Sequence, residues 1–435
     1  MKPEVRDISF VRKIEIYSSG YLKCCRYVCG LSQLEHGFTK KFFSTFIATS
    51  HLVEDFLDYH GAKNNSRWFF YRELAAAVRH IGLGAYAQQH ISDRFAFYGV
   101  SAPAGFRTAG EETLTYLRNT LARLAPVILK EAEKRGIRVP DDAFGTEDFP
   151  GLVTTDRLEN DIEDERMGEQ RRHVVKIAND FLNIAASFES YGFYDPYDME
   201  TIRKLVPEQV NEVEVRRVEM LVHNLQSAFD TYVIHGGVQS DVSMLKQFRG
   251  YVSVILHLLQ MIGRLLHFYE RHLHQVSLKA AYRDVQEALV DLIEPDILLE
   301  QTVNYALRHV WLFMDAGRKL ARVLLKENVE RSFIRTGIPM KRGFHSRPSL
   351  LVAKIVQYFG GQVELCVGED RFDAGSVLDI QWAGGKIQKE DIREVVFEGD
   401  ARALNDIQIL ASVNFGEDTM GKGIPLPSEL SYLQS

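Results

Sequence analysis

The chain has 435 residues, 46% of them hydrophobic and 26% charged, with a formal net charge of −7 at pH 7. That length predicts two or three domains with sizeable cores, and the ordinary hydrophobic and charge balance excludes a disordered chain. The acidic balance, with a pI near 6.1, argues against a nucleic-acid binder.

The first thirty residues mix Lys, Arg, Glu and Asp without an uninterrupted apolar core, which predicts no signal peptide and a cytoplasmic protein. Asp7 to Tyr17 alternates in part and reads as a strand or an irregular N-terminal arm, with Ser18-Ser19-Gly20 as a turn. Cys24, Cys25 and Cys29 cluster while Cys366 stands far off, the pattern of reduced core thiols rather than a disulfide framework or paired metal ligands.

From Lys40 to Tyr59, Phe42, Phe43, Phe46, Ile47, Leu52, Phe56 and Leu57 recur at helical spacing, and Gly61 with Asn64-Asn65 makes the stop. A second helix is expected from Arg67 to about Arg79, with Gly82 and Gly84 as interruptions and a Gly/Ser/Pro loop around 99–105. Another starts at Thr108 and closes at Gly136. The acidic, Pro- and Gly-bearing segment 138–168 reads as an internal linker. Helical stretches follow at about 169–189, 198–233, 240–275, 280–292 and 295–329, broken at Gly236-Gly237 and Pro295. Residues 1–330 therefore read as an all-α body of one or two helical bundles. Its most apolar stretch, Tyr251 to Tyr269, carries Arg264 and two histidines, which predicts a buried helix and no membrane span.

Chemistry is sparse in this body. His51, Asp55 and Asp58 fall on neighbouring turns of one helix, and His267, His272 and His274 near the end of another, so either set can be written as a metal site. Polar side chains on helices are more commonly solvated or satisfied locally, so no metal and no cofactor is assigned. The aromatic runs Trp68-Phe69-Phe70-Tyr71 and Phe95-Ala96-Phe97-Tyr98 read as core. The chain has no Walker-type phosphate loop, GxSxG elbow or GxGxxG fingerprint.

The composition changes near residue 331. Ser332 to Pro339 reads as a strand, 346–359 as a helix ended by Gly360-Gly361, and Gln362 to Val367 as a second strand. A third short strand passes through Arg371 and Phe372. Ser376 then opens a short helix to about Trp382, with a break at Gly384-Gly385. Glu394 to Phe397 forms the fourth strand, and Ala401, Leu404, Ile407 and Ala411 define a last helix capped by Asp400. The order βαββαβα predicts a multi-domain chain: an all-α region followed by an α+β open-faced sandwich over residues 331–415, with a tail at 416–435.

Gly343-Phe344-His345-Ser346-Arg347-Pro348 carries the clearest chemistry. It sets His345 and Arg347 at a helix start, where unpaired N–H groups and the positive dipole end favour a phosphate. The stretch matches a G-x-H-x-R-P signature, and Ser376, 31 residues after His345, opens the second helix as a second phosphosite does in the same family. The region resembles HPr, the histidine-containing phosphocarrier of the bacterial phosphoenolpyruvate-dependent sugar phosphotransferase system.

The resemblance implies that His345 accepts a phosphoryl group on Nδ1, that Arg347 neutralises it and that Ser376 is the regulatory phosphorylation site. Val377, Leu378, Gln381 and Trp382 would form the docking face. The implied partners are an enzyme I-type donor, a sugar-specific or regulatory phosphoryl recipient, and an HPr serine kinase. Two departures stand out: Asp379 replaces a small residue and Gln381 an apolar one. The expectation is a stoichiometric phosphocarrier or phosphorylation sensor, not a turnover enzyme, coupled to a helical effector. The competing expectation is a helical scaffold that keeps the domain only for docking, which Asp379 and Gln381 favour. A weaker third is an enzyme in the helical body.

Overall fold

The computed structural model describes residues 9–151, 170–231, 242–274, 280–360 and 362–434. They fall into two compact units. One draws on Met1–Asn160, Ala185–Asn224 and Lys246–Ala316, the other on Asp161–Ile184, Leu225–Leu245 and Gly317–Ser435. The division does not fall at residue 331, and Asn179 shows why. Its side chain donates to the Gly360 carbonyl and accepts from Gln362 Nε2 at 3.0 Å, so part of the helical sequence packs with the C-terminal elements.

The described residues of the first unit open on a helix. Helix α1 (Phe10–Gly30) replaces the expected strand or arm. The Ser9 hydroxyl caps it by accepting from the Arg12 N–H at 3.3 Å. Ile14, Ser18, Tyr21, Leu22, Cys25 and Val28 bury one helical face, a period of 3.6 that the partial alternation of the first residues conceals. Asp7 and Ile8 lie outside the described residues. Next come α2 (Leu34–Gly37), α3 (Lys40–Tyr59), α4 (Phe69–Arg94) and α5 (Phe106–Arg135).

Gly82 and Gly84 do not interrupt α4. A Cβ on Gly82 would come within 3.0 Å of Ile47, and one on Gly84 within 3.0 Å of Leu265. These glycines let neighbouring helices approach closely, and the tertiary contact outweighs the roughly 1 kcal/mol propensity cost of each. Within the expected linker, the described residues 138–151 pack down. Phe149 is buried against Tyr27 and Phe42, and Arg26 donates to the Pro140 carbonyl at 2.7 Å. The remainder, 152–168, lies outside the described residues.

Helix α6 (Gln170–Glu189) follows. The single helix expected over 198–233 is two, α7 (Met199–Leu205) and α8 (Glu212–Phe229). Asn211 starts the second by accepting from the Glu214 N–H at 3.0 Å. Beyond them lie α9 (Val242–Phe268), a π segment (Tyr269–Leu273), α10 (Ala280–Ile293), α11 (Pro295–Glu300), a second π segment (Gln301–Leu307) and α12 (Arg308–Asn328). The stretch Ser243–Leu273 is long and apolar enough to cross a membrane by length and composition, and 78% of its most apolar window is buried inside the protein.

Near the C-terminus stands a small four-stranded antiparallel sheet: β1 (Arg331–Gly337), β2 (Val363–Val367), β3 (Asp370–Asp373) and β4 (Glu394–Asp400), in the order β1-β4-β2-β3. Helices α13 (Ser346–Tyr358), α14 (Val377–Lys389) and α15 (Ala401–Ser412) alternate with the strands. Val363, Leu365, Val367, Val395 and Phe397 alternate inward and share one core with Val352, Val356, Ile380, Leu404 and Ile407 of the helices. The other sheet face is polar, where Arg371 bridges Glu364 at 2.7 Å and Glu398 at 3.0 Å. Helix α14 continues through Gly384-Gly385 instead of stopping at Trp382, because Gly384 lies against the Phe344 carbonyl, where a Cβ would come within 3.0 Å. The segment expected as a tail packs back: Leu430 and Leu433 enter this core, and Tyr432 stacks on Tyr358 at 4.0 Å.

Several histidines of the first unit are held neutral. Burial, with His257 next to it, pushes His90 down to about 4, and burial also lowers His257 and His309. Lys40 lies 3.3 Å from His90 Nδ1, a contact that requires this nitrogen to accept. In the unfolded chain these rings take up protons as the pH falls through about 6.5, whereas folded they stay neutral to lower pH. Protons therefore favour the unfolded state. We expect the thermal midpoint to fall as the pH is lowered from 7 to 5, and less steeply in a His90→Gln/His257→Gln variant. Equal slopes for the two proteins would refute this.

Candidate functional site

The site begins with a helix start. His345 has extended backbone (φ −84°, ψ −172°) and stands as the N-cap of α13 without capping through its side chain. Its own carbonyl accepts from the Ser349 N–H at 3.1 Å, and the Ser349 hydroxyl donates to the Phe344 carbonyl at 3.1 Å. The N–H groups of Ser346 and Arg347 therefore belong to the first turn, which has no acceptor for them inside the helix, and Pro348 supplies none. The imidazole is free to turn outward.

It turns onto a carboxylate that the sequence motif does not contain. His345 Nε2 lies 3.1 Å from Glu417 Oε2, in hydrogen-bonding geometry, and 3.0 Å from Oε1. The Glu417 side chain is 1% exposed and that of His345 29%. A carboxylate only accepts, so the ring proton sits on Nε2 and the lone pair on Nδ1. Nδ1 has no hydrogen-bond partner among the described residues.

The backbone before Glu417 accounts for its position. Asn414, Phe415 and Gly416 all have positive φ (49°, 55° and 79°), two of them at a cost of roughly 1–2 kcal/mol each for a non-glycine residue. Packing holds this turn. Phe415 is buried edge-on against Phe344 with ring centroids 5.2 Å apart. The Asn414 side chain accepts from the Met340 N–H at 3.0 Å and donates to the Glu417 carbonyl at 3.1 Å. The turn before His345 and the turn before Glu417 are thus stitched together.

Arg347 is exposed and has no acidic partner among the described residues. Its guanidinium lies over Gly423, where any Cβ would collide with it. Arg342, three residues before His345, is exposed as well and has no acidic partner among the described residues.

Ser376 caps α14, its hydroxyl accepting from the Asp379 N–H at 3.3 Å and lying 3.2 Å from Asp379 Oδ1. Asp379 is therefore engaged with the cap. Gln381 Nε2 reaches Ser346 Oγ at 3.4 Å, which ties α14 to the first turn of α13. Leu378 and Trp382 are largely exposed one turn apart, Leu350 is exposed one turn beyond Ser346, and Val377 is partly buried against the core.

The alternatives in the helical unit resolve differently. His51 and Asp55 form an exposed pair at 3.1 Å, while Asp58 is taken up by Arg72 at 2.8 Å and Lys63 at 3.1 Å. His274 turns to the Tyr269 hydroxyl at 3.3 Å. His267 and His272 do come together, but with His80 of α4 as the third member. The expectation of a helix ending near Arg79 hides His80. Phe95 and Tyr71 are core residues, whereas Phe97 is largely exposed with Arg94 over its ring.

Compared with known protein families, characterised proteins and solved structures, the chain matches none. The geometry itself yields a test. At a pH where the ring is neutral, nitrogen-15 spectra of His345 should show the Nε2–H tautomer, and Glu417→Leu should give a mixture of tautomers. A wild-type ring protonated on Nδ1 would contradict the arrangement.

Proposed function

We propose that the C-terminal elements form an HPr-like phosphocarrier or phosphorylation-sensing domain that accepts a phosphoryl group on His345 Nδ1 and couples it to the helical unit. The observation that carries this reading is the division of labour on the imidazole: Nε2 is held by a buried carboxylate, and Nδ1 has no hydrogen-bond partner among the described residues. The resemblance of the motif at 343–348, the order βαββαβα and the sheet order β1-β4-β2-β3 support the same reading.

The transfer balances without any proton having to move. The Nδ1 lone pair attacks the phosphorus of a phosphohistidine on an enzyme I-type donor. The donor's N–P bond breaks and its electron pair stays on the donor imidazole. The His345 ring then carries both the new Nδ1–P bond and the Nε2–H, with cationic character that the Glu417 carboxylate stabilises. The N–H groups of Ser346 and Arg347, the Arg347 guanidinium and the dipole of α13 would favour the phosphoryl oxygens. The group is held until a sugar-specific or regulatory recipient takes it, so the domain works stoichiometrically.

Leu350, Leu378 and Trp382 offer exposed apolar side chains for docking donor and recipient, with Gln381 as a polar neighbour that reaches Ser346. A phosphate on Ser376 would sit beside the Asp379 carboxylate, adding local repulsion to the negative charge it brings to that face. In this domain Ser376 phosphorylation would therefore loosen the start of α14 as well as repel an acidic partner.

The test is phosphorylation by phosphoenolpyruvate and an enzyme I that labels an authentic HPr. An acid-labile label is expected on the wild type, absent in His345→Ala and formed about 10²-fold more slowly in Arg347→Ala. An unlabelled wild type under those conditions would discard the carrier reading for a docking role.

A further inference from the structure

The helical unit holds three histidines whose ring nitrogens converge. His80 comes from the middle of α4, His267 from the last turn of α9, and His272 from the π segment Tyr269–Leu273. One nitrogen from each lies within 4.8 Å of the other two. On an uninterrupted α-helix, residues five apart point about 140° away from each other. The wider π turn, closed by the His274 N–H donating to the Tyr269 carbonyl at 2.8 Å, returns His272 to the side of His267. His80 stacks on His267 with ring centroids 4.3 Å apart.

Two of these rings are oriented by buried carboxylates. His272 Nδ1 lies 2.5 Å from Glu73 Oε2 and His267 Nδ1 2.8 Å from Glu212 Oε2. Each carboxylate is held in turn, Glu73 by Arg72 at 2.9 Å and Glu212 by Arg216 at 2.6 Å. The Glu73 contact has hydrogen-bonding geometry, so His272 commits Nδ1–H to it and keeps the lone pair on Nε2, the tautomer and outer shell of a metal-bound histidine, whereas the His267–Glu212 contact is an ion-pair distance without hydrogen-bonding geometry. His80 is only 3% exposed, and its Nδ1 is buried without a hydrogen-bond partner among the described residues. An unpaired buried nitrogen is costly, and coordination is one way to satisfy it.

We propose that His80, His267 and His272 bind one divalent transition-metal ion, with Zn²⁺ the ion that three neutral imidazoles fit best. The three ligands leave a coordination position open. Beside them is a cavity of about 850 Å³ lined by His267, His272 and Glu212, with Arg216 and Arg271 on its wall. An open position beside a cavity is the arrangement of a reactive rather than a purely structural metal site, and Lys63, Arg72, Arg216 and Arg271 on its wall, against Glu73 and Glu212, would suit an anionic ligand.

The test uses the full chain, stripped of metal by a chelator and titrated with Zn²⁺ alone and Co²⁺ alone. One equivalent should bind, and Co²⁺ should give the strong visible absorption of four- or five-coordination. His80→Gln and His272→Gln should lose stoichiometric binding, and Glu212→Gln should weaken it about 10- to 100-fold with the far-ultraviolet circular dichroism unchanged. His51→Gln, at the exposed pair, should bind as the wild type does. The proposal is overturned if the folded wild type binds no equivalent of metal, or if folded His80→Gln and His272→Gln bind it undiminished. Should those variants unfold, a wild-type Co²⁺ spectrum no stronger than that of the hydrated ion is the outcome that overturns it.

Discussion

A buried carboxylate that engages one nitrogen of an imidazole recurs at each place where this chain concentrates chemistry. Glu417 holds His345, Glu73 holds His272 and Glu212 holds His267. Desolvating a carboxylate costs several kcal/mol unless a partner repays it. Burial by itself would raise the Glu73 carboxyl, but His272 and Arg72 together outweigh it and leave the group below its ordinary value. The histidine is part of what makes the buried charge tolerable. In return, where the contact is a hydrogen bond, as for His345 and His272, the carboxylate fixes the tautomer and leaves the lone pair on the second nitrogen.

That exchange draws in wider structure. Arg72 is 5% exposed and reaches Glu54, Asp58 and Glu73 at once, so the carboxylate behind His272 belongs to a network spanning α3 and α4. Fully satisfied networks of this kind rigidify a core, and removing one member leaves its partners buried and unpaired. In the C-terminal unit the equivalent anchor is steric. The left-handed turn at 414–416 is maintained by burying Phe415, and this turn delivers Glu417.

The one-sided sheet serves the same end. With α13, α14 and α15 packed on its apolar face, the starts of α13 and α14 are joined through Gln381 and Ser346. His345, the first-turn N–H groups of α13 and the exposed Leu378 and Trp382 of α14 then lie on neighbouring first turns, the grouping on which the proposed phosphoryl transfer rests.

Local chemistry was legible along the chain. The caps at Asp400 and Ser376, the stop at Gly136 and the alternation of 363–367 are decided by residues within a few positions of each other, and the helix start at His345 follows from its immediate neighbours. What the sequence could not disclose depends on distant partners. Gly82, Gly84 and Gly384 look like helix breaks until the atoms packed against them are known. His80 joins His267 only because α4 runs on and a π segment reorients His272, and Glu417 meets His345 from 72 residues away. The sequence by itself determined which residues can carry charge, protons and phosphate, because those properties belong to the side chain. Only the tertiary structure decided which of them are desolvated together, because burial and the pairing of distant groups arise when separate elements pack.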